Sequence, residues 1–185
     1  MTLSGANKAI WIGYTTRYRE GGPKFERAAL TLAAAKRREF PDLEVRCERL
    51  ESKPEFLAAM RRLATDGLLL RELHLIVHSG MYGPMFGTVA WPEQFSPHEW
   101  RTLKLPFAAD GEAFFHACRS ARWFAPFFAR THGVPARGYH WYTSVSAAPD
   151  RFRWDGLAGA GAPLYIFGIP GRKSHGVVGS LRKYL

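Results

Sequence analysis

The chain has 185 residues, of which 46% are hydrophobic and 14% aromatic, so it is a globular chain, not a disordered one, and we expect one domain over residues 1–185. Its net charge of +10 is spread along the sequence and is compatible with nucleic acid or with an anionic substrate. No signal-peptide pattern and no apolar run of roughly 18 residues occurs, which favours a soluble cytoplasmic protein without a membrane partner.

The first half of the chain predicts two strands that each precede a helix. Residues 8–15 form an apolar strand, and residues 24–40, rich in Ala, Leu, Glu, Lys and Arg, form a helix. Residues 43–50 alternate between apolar and polar side chains, which is typical of an outer strand. A helix over residues 53–65 follows, with Ser52 as its N-terminal cap.

The second half continues the alternation after a buried third strand over residues 70–77. Residues 79–97 are long, contain Gly and Pro, and predict a binding loop or lid. The remaining predicted elements are a short helix over 98–103, a strand over 112–118, a helix over 121–131, strands over 137–145 and 163–168, and a short basic tail. Together they predict a three-layer α/β/α sandwich with a mostly parallel six-stranded sheet.

Two strands end in side chains that are common in catalysis. The first of these strands lies in the run LHLIVHSG and ends at His78. The second lies in the run AFFHACRSA and ends at Cys118. Residues at the carboxyl ends of neighbouring parallel strands meet in one crevice, whatever their separation along the chain. Because a thiol needs a nearby base or positive charge to become a nucleophile, this placement suggests a His78–Cys118 dyad.

Other chemistries fit the sequence less well. CxxC and HExxH motifs are missing, so no zinc signature is present, and with only Cys47 and Cys118 a disulfide is not expected. A cysteine phosphatase needs an arginine six positions after its cysteine, where this chain has Phe124. The serine-hydrolase motif GxSxG is missing too, and the run GLAGAGA precedes a strand instead of opening a helix.

The order and spacing of the two strand ends resemble the caspase-like cysteine peptidases, a superfamily that includes caspases, metacaspases, gingipains, separase and CHAT-type bacterial domains. An apolar strand ending in His and Gly is followed, some forty residues later, by an apolar strand ending in Ala-Cys, then a helix and a strand starting GVPARGY. The resemblance implies a caspase-like fold and a cysteine endopeptidase that acts on a protein or peptide substrate, without a metal or organic cofactor.

The same resemblance implies roles for individual residues. Cys118 would be the nucleophile, and His78 would protonate the leaving amine. The backbone N–H groups of Cys118 and of the turn at Ser79 and Gly80 would bind the oxyanion.

Caspases read an acidic substrate side chain with arginines after the first and fifth strands. Here those positions correspond to Arg17 or Arg19, and to Arg151 or Arg153. The resemblance therefore allows a preference for an acidic P1 residue.

The chain departs from the family pattern at His116, which stands two residues before Cys118 and points to the same side of the strand. His116 could line the specificity pocket, act as a second base, or simply pack. A second departure is Ser79, which separates His78 from Gly80 and leaves open which amide binds the oxyanion.

Two other functions stay open at this point. One is a catalytically inactive caspase-like module that binds a protein through the apolar residues between Met81 and Trp91. The other, less favoured because no known nucleic-acid-binding motif is present, is a basic nucleic-acid-binding domain. The outer strand would allow a dimer, but nothing in the sequence compels one.

Overall fold

A computed structural model describes residues 7–139, 143–145, 166–167 and 182–184. Its helices are α1 (Gly22–Glu39), α2 (Lys53–Thr65), α3 (Pro97–Thr102) and α4 (Phe124–His132). Its strands are β1 (Asn7–Tyr14), β2 (Glu44–Arg49), β3 (Leu68–Ile76), β4 (Ser79–Gly80), β5 (Gly83–Gly87), β6 (Pro92–Gln94), β7 (Phe107–His116), β8 (Ala136–Gly138), β9 (Ser144–Val145), β10 (Ile166–Phe167) and β11 (Arg182–Tyr184).

Six of the described strands form the main sheet, in the order β11-β8-β7-β3-β1-β2. The five strands from β8 to β2 run parallel to their neighbours, whereas β11 is antiparallel to β8. The α/β class, the mostly parallel sheet and the edge position of β2 are as predicted. Strand β3, with β1 on one side and β7 on the other, lies in the middle of the sheet and is apolar over most of its length.

Helices cover both faces of the sheet. Side chains alternate along each strand, so apolar residues lie on both faces and are buried by helices on each side. From β1, Trp11 joins the apolar cluster that contains α2, α3 and α4, while Ile10 and Ile12 join the cluster that contains α1. Each large apolar side chain buried in this way contributes roughly 1.5–3 kcal/mol. None of the helices in the described part of the chain is both long and apolar enough to cross a lipid bilayer.

Several helix ends follow the signals in the sequence. The Ser52 hydroxyl accepts a hydrogen bond from the Glu55 N–H at 3.2 Å, as predicted for the cap of α2. Gly133 closes α4 with a left-handed φ of 67°. Ser96 and Glu99 form a reciprocal capping box at the start of α3.

Two predictions about strands are wrong. Residues 79–97 contain the three short antiparallel strands β4, β5 and β6, not only a loop, because backbone pairing can stabilise strands too short to show a pattern. The described part of the predicted strand over 163–168 is β10, which pairs with β9 in a separate sheet. The sixth strand of the main sheet is β11, in the short basic tail to which the sequence assigns no strand.

The predicted strand over residues 137–145 is also divided. Its beginning corresponds to β8, which pairs with β7 and β11, while residues 144–145 form β9 and pair with β10. At Gly138 the strand packs closely against Ser120 and Ala121. A Cβ added at this position would press against both residues, so only glycine fits.

Candidate functional site

The site lies where β3 and β7 end, side by side. The two strands are parallel neighbours, and Ile76 pairs with His116 as the last pair of their ladder. His78 and Cys118 are each two residues beyond this pair, so both follow the same edge of the sheet. The predicted adjacency of the two strand ends is confirmed.

A pocket of about 440 Å³ opens at this edge. It contains Cys118 together with residues from the turn after His78 and from the start of α4. The described residues that line it are Arg19, Ser79, Gly80, Met81, Gly83, Cys118, Arg119, Arg122, Trp123 and Phe124. One concave surface therefore contains the candidate nucleophile, both residues of the candidate oxyanion turn and three arginines.

The sulfur of Cys118 is held by the backbone of one residue. The N–H of Thr143 donates to Sγ at 3.2 Å, and the thiol donates to the carbonyl oxygen of Thr143 at 3.4 Å. The hydroxyl of Thr143 lies 3.6 Å from the same sulfur. These contacts fix the position of the sulfur at the edge of the pocket.

The second thiol, Cys47, has a different environment on the edge strand β2. Both cysteines are free and partly buried. Burial, followed by the negative charges of Glu48 and Glu26, raises the pKa of Cys47 to about 11 against a lowering by Arg37. Cys47 is therefore protonated at neutral pH and has the properties of an unreactive thiol.

The ring of His78 is oriented by a backbone group and by aromatic side chains. Its Nε2 lies 3.0 Å from the carbonyl oxygen of Glu20, which can only accept, so Nε2 is the donor. The rings of Phe25 and Tyr18 lie 4.9 and 5.8 Å from the imidazole. In a neutral ring with Nε2 protonated, Nδ1 is the nitrogen with a free lone pair.

Glu20 was missed by the sequence analysis, which assigned no third member to the dyad. A backbone carbonyl carries no side-chain signal, so only the fold reveals that the segment after β1 comes close to His78. Such an orienting group restricts the ring to one tautomer and one direction.

Backbone strain is concentrated around the same pocket. Among the described residues, two that are not glycine have a left-handed φ, namely Arg19 at 60° and Arg119 at 55°. Both line the pocket, and Arg119 directly follows Cys118. Left-handed φ values cost L-residues free energy, so the surrounding structure must hold the backbone in place at both of these positions.

The predicted oxyanion turn forms the short strand β4. Ser79 and Gly80 pair with Pro84 and Gly83 of β5, and the N–H of Met85 donates to the His78 carbonyl oxygen at 2.9 Å. This pairing anchors the turn beside Cys118. A Cβ added at Gly80 would contact the side chains of Met85 and Gln94, which would have to move.

The predicted substrate-binding arginines have different positions. Arg19 lines the pocket, whereas Arg17 is exposed and is not among the lining residues. Arg151 and Arg153 lie outside the described residues. The structure adds Arg119 and Arg122, from the stretch after β7 that carries several arginines and no acidic residue.

His116 does not face the pocket. It is 2% exposed and its Nε2 lies 3.0 Å from Nδ1 of His74, so of the three alternatives left open by the sequence, packing inside the protein fits its position. His74 in turn contacts Glu72, and Glu72 contacts Lys36. Within the residues that the structure describes, no cluster of three or more His, Cys, Asp or Glu side chains is arranged to hold a metal ion.

Comparison with protein-family models gives no match for this chain, and comparison with curated proteins gives none either.

Proposed function

We propose that this chain is a cysteine endopeptidase of caspase-like fold that uses His78 and Cys118. The observation that carries the proposal is the pocket at the shared end of β3 and β7. Cys118 lines it together with Ser79 and Gly80, the two residues that directly follow His78. Nucleophile, base and oxyanion donors are the three parts that acyl transfer needs.

The reaction follows from the groups at this edge. His78 accepts the thiol proton at Nδ1, and Sγ of Cys118 bonds to the substrate carbonyl carbon. The oxyanion that forms is stabilised by the N–H groups of Cys118 and of the turn at Ser79 and Gly80. His78 then gives its proton to the leaving amine as the C–N bond breaks. Water hydrolyses the thioester, which releases the acid and regenerates the thiol.

Three surrounding contacts support this reaction. The Thr143 N–H, 3.2 Å from Sγ, donates a hydrogen bond that holds the sulfur in place. The Glu20 carbonyl oxygen, 3.0 Å from Nε2, leaves Nδ1 of His78 as the basic nitrogen. Arg119 has a left-handed φ of 55°, so the backbone next to the nucleophile is held in a conformation that costs free energy.

The lining of the pocket supports an acidic substrate residue. It contains Arg19, Arg119 and Arg122, and none of the described lining residues is acidic. A cleft with charges of one sign attracts a substrate of the opposite sign. We therefore expect Asp or Glu next to the cleaved bond to be preferred over Lys or Arg.

A positional-scanning peptide library tests this function. Wild-type protein should cleave a subset of the library, Cys118→Ala should cleave none, and Cys47→Ala should behave as the wild type does. Cleavage that survives in Cys118→Ala would eliminate the proposal. The same screen reports the preferred residue at P1.

A second candidate function is an inactive caspase-like module that binds a protein. Its support is the exposure of two large apolar side chains between residues 79 and 97, with Met81, which lines the pocket, 78% exposed and Trp91 81% exposed. Exposed apolar side chains of this size are common in interaction surfaces. An inactive wild type whose partner binding is lost in Trp91→Ala and kept in Cys118→Ala would favour this function.

A further inference from the structure

Four ionisable side chains form a row of hydrogen bonds inside the protein, below the site. Lys36 Nζ on α1 lies 2.9 Å from Glu72 Oε2 on β3. The same oxygen lies 2.8 Å from Nε2 of His74, and Nδ1 of His74 lies 3.0 Å from Nε2 of His116 on β7. All four are 5% exposed or less.

Burial of these ionisable groups costs free energy, because charges in a protein interior lose their hydration. Lys36 and Glu72 compensate each other as an ion pair, and a second carboxylate, Glu39, lies 2.9 Å from the same ammonium. The two imidazoles are buried beside this ion pair. Burial lowers the pKa of His74, and burial followed by the charges of His74 and Lys36 lowers the pKa of His116 well below its usual value. Both rings are therefore neutral at pH 7.

The hydrogen bonds then determine both tautomers. The Glu72 carboxylate can only accept, so Nε2 of His74 carries the proton. A neutral His74 has an unprotonated Nδ1, which accepts from Nε2 of His116. His116 is consequently the donor in this pair when His74 is neutral, and a protonated His74 would reverse the direction of the bond, with Nε2 of His116 as the acceptor.

We propose that the row from Lys36 to His116 is a positioning network for the candidate dyad. The His74–His116 hydrogen bond joins β3 to β7 immediately before the strand ends that lead to His78 and Cys118. His116 is the last residue of β7 and precedes Cys118 by two residues, so its position influences where the chain leaves the sheet towards the thiol. A change in this bond shifts the thiol relative to the imidazole. The inference rests on the proposed function.

Aromatic rings that pack against His74 and His116 restrict the orientations of the two imidazoles. Phe114 stacks on His74 at 4.4 Å, and the ring of Tyr139 lies 6.5 Å from that of His116. Among the described residues, charged groups that act on the two imidazoles are Glu72 from β3 and Lys36 and Glu39 from α1. Aromatic packing thus limits where the rings can turn, and the hydrogen bonds select one orientation.

A matched pair of substitutions tests the inference. His116→Gln keeps an N–H donor near the position of Nε2, whereas His116→Met has a similar length and no donor. Misplacement of reacting groups by about 1 Å costs up to about 10²-fold in rate. We expect His116→Met to lower kcat about tenfold or more with KM changed by less than about twofold, and His116→Gln to stay within about threefold of wild type. Equal activity of the two variants, whether high or low, would overturn the role of the hydrogen bond.

The rate of Cys118 alkylation by iodoacetamide separates this inference from the proposed function. If wild-type protein cleaves no peptide, the proposed function fails, and the alkylation rate still reports on the thiol. His116→Met should then react about threefold or more slowly than His116→Gln, because the sulfur loses its placement. Equal alkylation rates would overturn the network.

Nitrogen-15 NMR of the wild-type histidine rings gives a readout that needs no variant to fold. The network predicts that His74 and His116 are both neutral and protonated at Nε2 at pH 7. Observation of either ring protonated at Nδ1 alone would contradict it.

Discussion

His74 on β3 and His116 on β7 are joined by a 3.0 Å hydrogen bond across the sheet, and both are almost completely buried. The bond is diagonal in the parallel ladder, because the residue paired with His116 is Ile76. It therefore couples the two strands just before the edge where the candidate site opens. Two neutral imidazoles in a protein interior have consequences for stability as well as for the site.

Stability should fall as the pH drops below about 6.5. Burial lowers the pKa of His74 and of His116, and it lowers the pKa of His132 to about 4. Between these folded-state values and 6.5, the unfolded chain binds protons that the folded chain excludes, so the free energy of unfolding decreases with falling pH. Urea unfolding at a series of pH values measures this slope. A flat profile between pH 6.5 and 4 would contradict it.

Loss of the buried ammonium should be strongly destabilising. Lys36→Met leaves the Glu72 carboxylate inside the protein without its 2.9 Å partner, and breaking a buried pair costs about 3–5 kcal/mol of unfolding free energy. Urea unfolding at neutral pH measures the loss.

Lys8→Met is the matched control, because Lys8 and Asp110 form an exposed pair at 2.8 Å. It should change the unfolding free energy by less than about 1 kcal/mol. Equal effects of Lys36→Met and Lys8→Met would show that the buried row does not stabilise the fold as described.

Thiol reagents should modify Cys118 before Cys47. Both thiols are partly buried, but the pKa of Cys47 is raised to about 11, and the Thr143 N–H donates to Sγ of Cys118 at 3.2 Å. Peptide mapping after brief treatment with iodoacetamide at neutral pH gives the order of modification. Preferential labelling of Cys47 would rule out an activated Cys118.

The turn beside the pocket should tolerate no side chain at Gly83. This residue has a φ of 106°, and an added Cβ would collide with the ring of Phe124 at the start of α4. Gly67 is the matched control, since its φ is 68° and no atom lies within 4 Å of an added Cβ. Gly83→Ala and Gly67→Ala should each lower the free energy of unfolding by about 1–2 kcal/mol, because alanine disfavours a positive φ. Gly83→Ala should lower it by about 1–3 kcal/mol more through overpacking. Similar unfolding free energies for the two variants would contradict this packing.

The sequence predicts the elements whose pattern arises from burial. Strands β1 and β3 have long apolar runs, and α1 and α2 have strong helix formers and clear ends, so their order and approximate bounds follow from local physics. Only the second half of β7 is predicted, because its first half contains Asp110 and Gly111. The short strands β4, β5, β6 and β11 are different. They are two to five residues long and are stabilised by backbone pairing with other segments, which leaves no periodicity to detect.

The groups of the candidate site also fall into those that the sequence predicts and those that it does not. His78 and Cys118 are detectable because each directly follows an apolar strand, whereas the Glu20 carbonyl and the Thr143 N–H belong to backbone that any sequence could provide. The buried row had one signal in the sequence. Glu72 and His74 are polar residues at alternate positions of a central strand that is apolar apart from these two and Arg71, and buried polar residues need partners.

The kinetics of His78→Ala, Cys118→Ala and the double variant test the central claim most directly. If an imidazole and a thiol act as one unit in peptide hydrolysis, each single change should lower kcat/KM by about 10³-fold or more, and the double change should add little to either. Effects of the two changes that multiply in the double variant, or peptide cleavage that persists without the Cys118 thiol, would contradict the account.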